Sequence, residues 1–371
     1  VRPRIQLGAA QVTLTATIKT LAIGTVLLLT TSGILTAQQV IENRDKPLSK
    51  NAGRVLKLQV VWRITDEDEE FYFKSPSDLG LSSDGSLFLA DRDELLKFSP
   101  KGRYVKNLFK KGQGPGEIAR DFHHVIQDDR IFIYDYLLVK IIQMDLDGNL
   151  VRQTRIETGP YSGFYGVYKN RFIFRKEIFL PPTERKVGLQ NMPVAVKLVT
   201  EDGKSEENNC VFQKEMFIEG NDFITWTPYR TIFDDQNGLI YVAHAREYQI
   251  EVLDVNKGRM TNAFKRLYPS VPYKEGIWEK KFYKTHNVPK IRIEPDISGL
   301  YINQNTIWVR TSTTTQEKGD LIDLFDAAGR FIDNFYLGAG RTLLGARGDE
   351  IFVTEKNPDE SVVLVKYKIL E

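Results

Sequence analysis

Three features of the sequence predict an all-β fold, a six-bladed β-propeller whose last blade is closed by an N-terminal strand. Aromatic residues make up 11% of the 371-residue chain and stand among Val, Ile and Leu in short runs, not in helical stripes. A unit of four short strands, separated by Asn, Asp and Gly turns, recurs along the chain. Its final copy lacks one strand, and one unassigned strand precedes the first copy. Length does not oppose this reading, because closed all-β folds often exceed about 200 residues as one unit.

The first residues are of a different kind. Residues 20–37 read TLAIGTVLLLTTSGILTA, an uncharged apolar run behind Lys19 with small residues near its end. That layout predicts a secretory signal peptide over residues 1–37, or an N-terminal membrane anchor if it is not cleaved, since the run matches the shortest membrane spans. Export to a periplasmic or extracellular location is therefore expected. Residues 38–53 read as a linker and residues 54–371 as the propeller.

The blades follow in order. The first copy, residues 78–109, runs strand, Asp84-Gly85 turn, strand, connection at 91–94, strand, Pro100-Lys101-Gly102 turn, strand. The second, residues 124–156, turns at Asp128-Asp129 and at Leu146-Asp147-Gly148. The third starts at Phe164 and turns at Lys169-Asn170 and Glu201-Asp202-Gly203. The fourth starts at Tyr229 and turns at 234–238 and Asn256-Lys257-Gly258, and the fifth starts near Ile297 and turns at 303–305 and Ala327-Ala328-Gly329. Asn, Asp and Gly fill these turns because tight hairpins need residues that tolerate positive φ. The sixth copy, residues 342–369, supplies only three strands around Arg347-Gly348-Asp349 and 356–361. Residues 55–64, VLKLQVVWRI, are expected to pair as its outer strand, closing the ring and covering an edge.

The run Leu87-Phe88-Leu89-Ala90-Asp91 followed by Lys97-Phe98-Ser99-Pro100-Lys101-Gly102 resembles an NHL-type repeat. Residues 55–369 as a whole resemble the bacterial six-bladed β-propeller proteins of that NHL-repeat-like kind. Residues 112–117, Gly-Gln-Gly-Pro-Gly-Glu, resemble an inter-blade connector of the same group. The resemblance implies architecture and leaves chemistry open, because propellers host enzymes, glycan binders and scaffolds alike. The third copy departs from the pattern: its middle connection is long, and Arg175 stands where the first two copies have Asp91 and Asp135.

The long segments, 65–77, 110–122, 177–193, 213–228, 267–295 and 312–319, all fall between blades or between second and third strands. Propeller geometry gathers these on one face and leaves tight turns on the other. Loops on a rigid scaffold carry function, so the loop-rich face, with the mouth of the central channel, is the expected binding surface. Within its loops Trp226, Tyr273, Trp278 and Tyr283 are the candidate contacts, set near lysines that would steer an acidic partner. Residues 276–286 also have the spacing of a short amphipathic helix whose aromatics pack on the disc. At the channel mouth the candidates are polar residues at the starts of the innermost strands: Asp78, His123, His124, Tyr165, Arg230, Asp296 and Arg341. Neighbouring strand residues face opposite ways, so only one of His123 and His124 can look into the channel.

Charge excludes nucleic acid as a main partner: 51 Lys and Arg stand against 49 Asp and Glu, with no long block of one sign. Cys210, the one cysteine, makes neither an intramolecular disulfide nor a zinc site by itself. The four histidines form no His-Glu-x-x-His pattern, there is no Gly-x-Ser-x-Gly elbow, and residues 112–117 are not followed by the Gly-Lys-Ser/Thr of a phosphate loop. No catalytic residue, metal site or cofactor is predicted. The leading expectation is an exported, non-catalytic propeller that binds a glycan, peptide or protein and meets a membrane only through an uncleaved N-terminal anchor. The alternative is a lactonase-like propeller hydrolase or lyase with a metal-assisted site at the channel mouth. Propeller enzymes of that kind imply a convergent cluster of carboxylates and amides, whereas the mixed charges here fit an anionic ligand better.

Overall fold

Strands in which alternate side chains are apolar must bury that set against a neighbour, and here the neighbour is the next blade. The computed structural model describes residues 39–65, 71–157, 159–206, 210–219, 222–225, 229–244, 246–276, 290–357 and 360–370. The apolar run read as an export signal lies outside them. Residues 40–371 form one compact unit.

The chain enters through β1 (Gln39–Asn43), β2 (Arg54–Val55) and β3 (Lys57–Ile64). Blade 1 follows as β4 (Pro76–Leu81), β5 (Leu87–Asp91), β6 (Leu95–Phe98) and β7 (Tyr104–Asn107). Blade 2 is β8 (Phe122–Gln127), β9 (Arg130–Asp135), β10 (Lys140–Asp145) and β11 (Leu150–Arg155). Blade 3 has five strands, β12 (Gly163–Tyr168), β13 (Arg171–Glu177), β14 (Gly188–Thr200), β15 (Cys210–Glu219) and β16 (Asp222–Thr225). Blade 4 is β17 (Arg230–Asp234), β18 (Leu239–Ala243), β19 (Gln249–Asp254) and β20 (Arg259–Arg266). Blade 5 is β21 (Ile297–Asn303), β22 (Thr306–Thr315), β23 (Gly319–Asp326) and β24 (Phe331–Tyr336). Blade 6 is β25 (Arg341–Arg347), β26 (Glu350–Lys356) and β27 (Val362–Leu370), completed by β3.

The protein is thus an all-β, six-bladed β-propeller closed by an N-terminal strand. β3 runs antiparallel to β27, from Lys57 opposite Leu370 to Ile64 opposite Leu364. One correction applies to the upstream end of that strand. Val55 belongs with Arg54 to β2, which pairs in parallel with β24 of blade 5. Further upstream, β1 adds a fifth strand to the outer edge of blade 4 beside β20. Between β1 and β2, Leu48, Ser49 and Gly53 donate backbone N–H groups to the carbonyls of Phe331, Ile332 and Asn334. Residues 40–64 therefore run as a strap around three consecutive blades, although residues 38–53 read as a linker.

Three segments expected to be loops are partly or mostly strand. Residues 188–193 of β14 pair with residues 213–218 of β15, and β16 adds to that extension. Met192, Met216 and Ile218, with Leu180 against them, form a separate apolar cluster that rewards lengthening this hairpin. Residues 312–319 likewise belong mostly to the β22–β23 hairpin.

The core lies between blades. Phe88 and Leu95 of blade 1 pack with Ile131, Ile133 and Ile142 of blade 2, and Tyr241, Ile250 and Phe264 of blade 4 pack with Ile307, Val309 and Phe325 of blade 5. Asp91 and Asp135, both fully buried, are local clamps. Asp91 accepts the backbone N–H groups of Lys74 and Ser75, and Asp135 accepts those of Ala119 and Leu138. Around the axis, hydrogen bonds stitch every blade junction. They are Ser83 to Asp129, Gln127 to Val167, Tyr165 to Thr231, Arg230 to Ser298, Tyr301 to Leu343, and Arg347 to Ser82.

Candidate functional site

The inner strands β4, β8, β12, β17, β21 and β25 enclose a channel cavity of about 860 Å3. Four of these strands carry a one-residue irregularity near the loop-rich end, at Asp78, Tyr165, Ser298 and Leu344. Such bulges bend a strand and re-aim a side chain. Asp78 itself has φ 43°, a left-handed backbone that Asp tolerates better than most residues. Close approach of the strands also needs glycine at one point: a Cβ on Gly80 would lie 2.4 Å from Cγ1 of Ile126 on the next inner strand.

Asp78, His123, His124 and Tyr165 line the cavity together with Thr231 and Tyr301. His123 is half-buried; burial holds its imidazole below the usual range and Arg175 adds to that, against the pull of Asp78. His124 is buried, both ring nitrogens lack a hydrogen-bond partner among the described residues, and burial holds its imidazole below the usual range against the pull of Asp78. The Tyr165 hydroxyl, raised chiefly by burial, donates to Oγ1 of Thr231 at 3.2 Å.

The other three channel candidates do not appear in the cavity lining. Arg341 is drawn into blade 6, where it donates to Glu355 Oε1 at 3.0 Å and stacks 4.7 Å over the Tyr367 ring. Asp296 is buried beside Tyr248 and Arg266 at the junction of blades 4 and 5, and burial pushes its carboxyl up to about 6. Arg230 is exposed and bonds the Ser298 carbonyl at 3.0 Å, close to Tyr301 of the lining. The cavity also extends to the tight-turn side, where Asp234, Asp235, Gln304 and Arg347 line it, a side expected to leave little room. Asp235 is raised by burial first and then by neighbouring Asp234 and Asp128.

Of the loop candidates, Tyr273 is half-buried and donates its backbone N–H to Arg292, at the base of the 267–295 arm. Trp226, Trp278 and Tyr283 lie outside the described residues, as does most of the 276–286 segment read as a short helix. Cys210 is buried in the blade 3–4 core, its thiol pushed up to about 12 mainly by burial.

The model of a family described as DUF5128, 6-bladed beta-propeller, matches residues 65–265, more than half of the chain. The chain belongs to that family. The fold of this DUF5128 propeller also matches solved structures. A Bacteroides fragilis protein shares 11% identity over 90% of this chain and 100% of its own, with a TM-score of 0.55. A DUF4221 member from Bacteroides vulgatus shares 12% over 86% of this chain and 99% of its own, with a TM-score of 0.56. A Xanthomonas campestris gluconolactonase shares 12% over 87% and 99%, but its TM-score of 0.40 carries nothing about chemistry. No curated protein matches the sequence.

Just outside the cavity lining, at the loop-side ends of blades 3 to 5 in this DUF5128 propeller, stand three arginines, Arg175, Arg230 and Arg310, beside the lining residues Tyr165 and Tyr301. Arg175 donates to the Ser162 carbonyl at 3.1 Å, lies 5.4 Å from the Tyr229 ring and acts on Tyr165. Arg310 donates to the Ser298 hydroxyl at 3.0 Å, so it and Arg230 share one residue. Arg310 and Tyr301 were not singled out in the sequence. Arg175 left a signal there, since it replaces an aspartate of the repeat. Among the described residues no three His, Cys, Asp or Glu side chains converge as a metal site.

Proposed function

We propose that this chain is an exported binding propeller of the NHL-repeat-like kind, holding its ligand at the loop-side mouth of the central channel. The observation that carries the reading is the cavity itself: inner strands from all six blades enclose it, and polar groups of both signs line it. Concave sites with a few convergent polar groups are the usual form of small-ligand sites. The apolar run of residues 20–37 supports export.

Thr231 lines the channel on an inner strand, so Thr231→Trp should obstruct it. Glycan and peptide arrays probed with the full chain should give ligands whose binding Thr231→Trp abolishes and Tyr273→Ala leaves intact. Ligands that survive Thr231→Trp but are lost in Tyr273→Ala would move the site from the channel to the loop arm.

A further inference from the structure

Resting on the channel as the binding site, we infer that its ligand is anionic, with a carboxylate or phosphate group received by Arg175, Arg230 and Arg310. Arg230 and Arg310 meet at Ser298, to which both donate, and Arg175 stands by Tyr165, whose hydroxyl donates to Thr231 on the same strand as Arg230. A planar guanidinium presents paired donors that match carboxylate and phosphate oxygens.

Charge and position separate this arc from the other arginines near the axis: Arg341 is neutralised by Glu355, and Arg347 lies at the opposite, tight-turn end of the channel, where it donates to the carbonyls of Ser82 and Ser83. Arg175 and Arg230 face no carboxylate within ion-pair distance among the described residues. Arg310 has only Asp320, at 4.0 Å. Its neighbour Arg230 bonds the same Ser298, so two like charges repel at one point. An anion at this point would relieve that repulsion.

Register supports the same conclusion. Opposite the first residue of each inner strand stand Asp91, Asp135, Arg175, Ala243, Thr311 and Glu355. Each acid in this set is satisfied locally: Asp91 and Asp135 by backbone N–H groups, Glu355 by Arg341 and Arg63. Blade 3 alone places a cation there. Tyr229, flanked by Arg175 and by Lys214 at 5.5 Å, provides a flat apolar surface beside the charge. Lys214 itself is paired with Glu177 at 2.7 Å and adds little net charge.

The test is calorimetric titration of the full chain with inorganic phosphate, with D-galacturonate and with neutral D-galactose, in low and high NaCl. Phosphate and galacturonate should bind, galactose should not at the same concentrations, and affinity should fall with salt. Arg175→Gln and Arg230→Gln should each weaken anion binding by about tenfold or more. Arg175→Lys should recover part of it, and Arg330→Gln, on a remote turn, should change nothing. Binding of phosphate and not galacturonate would assign a phosphate source, and the reverse a carboxylate source. Failure of both anions to bind would overturn the inference, as would binding that Arg175→Gln and Arg230→Gln leave unchanged. If instead galactose binds as well as galacturonate and Thr231→Trp abolishes both, the anionic class falls while the channel stands.

Discussion

Asp296 and Asp323 are two buried carboxyls at one blade junction, each with Oδ1 lacking a hydrogen bond among the described residues, and only Asp323 is held by an ion pair. Asp323 is fully buried, accepts the Tyr248 hydroxyl, and pairs with Arg266 Nε at 2.8 Å. Asp296, 7% exposed, leaves Oδ1 without a hydrogen bond among the described residues. Burial raises its carboxyl to about 6, more than the Tyr248 N–H and Arg266 pull it back, and Glu247 adds to the rise. In the unfolded chain an Asp titrates near ~3.9. The folded state therefore binds this proton more tightly, so the contribution is present below the unfolded value and is lost as pH rises through the folded one. Asp296→Asn removes the charge and keeps the shape. It should raise stability at pH 7 by on the order of 1 to 2 kcal/mol and flatten the decline between about pH 4 and 6. Urea melts of both proteins from pH 4 to 8 check this, and parallel profiles would rule Asp296 out as the responsible group. Its burial was not legible in the sequence, because a polar residue just before an inner strand reads the same whether it faces the channel or the next blade.

At the scale of elements, the clearest coupling joins the last turn of blade 1 to the closing strand. Trp62 of β3 donates its indole N–H to the Pro100 carbonyl at 3.1 Å, and its ring lies 6.1 Å from that of Phe352. Gly102 has φ 74°, and a Cβ there would come within 2.8 Å of the Trp62 ring. Gly102→Ala should therefore cost about 1 to 2 kcal/mol, part from backbone strain and part from overlap. In a Trp62→Ala background only the strain should remain, leaving a coupling of about 0.5 kcal/mol or more in a double-mutant cycle. Additive melting data would mean that the turn and the tryptophan are not in contact. Turns such as Pro100-Lys101-Gly102 were readable in advance because positive φ is a local demand with a local signature. The strands β1, β2 and β16 were not. They have two to five residues and pair along an outer edge, so they leave no periodic pattern. The arginine arc was partly legible: Arg230 stands at the start of an inner strand and Arg175 breaks the repeat, whereas Arg310 breaks none.

For the whole molecule the decisive structure is the strap of residues 40–64. Asn43 joins blades 4 and 5, donating to the carbonyls of Lys265 and Gly329 and accepting the Phe331 N–H. Arg54 pairs with Asp333 at 2.8 Å, and β3 then closes blade 6. Its two ends make separable contributions. Removing residues 1–53 uncovers the edge of β20 and part of that of β24, where β2 remains, but leaves the ring closed, so the shortened chain should keep the oligomeric state of the intact one with a lowered melting temperature. Removing residues 1–64 also exposes the edge of β27, whose Val363, Leu364 and Val365 are buried in the intact fold. An open apolar edge invites pairing between chains. That protein should self-associate in light scattering and lose amide protection along β27, and a peptide of residues 54–65 supplied in trans should restore both. An unchanged oligomeric state with β27 fully protected after loss of residues 1–64 would mean that the junction hydrogen bonds around the channel hold the ring without its closing strand. Closure matters to the site as well: the inner strand of blade 6 carries Leu343, which accepts the Tyr301 hydroxyl at 2.8 Å. An opened blade 6 would release Tyr301, and with it the Arg230–Arg310 end of the arc, so anion affinity should fall along with β27 protection.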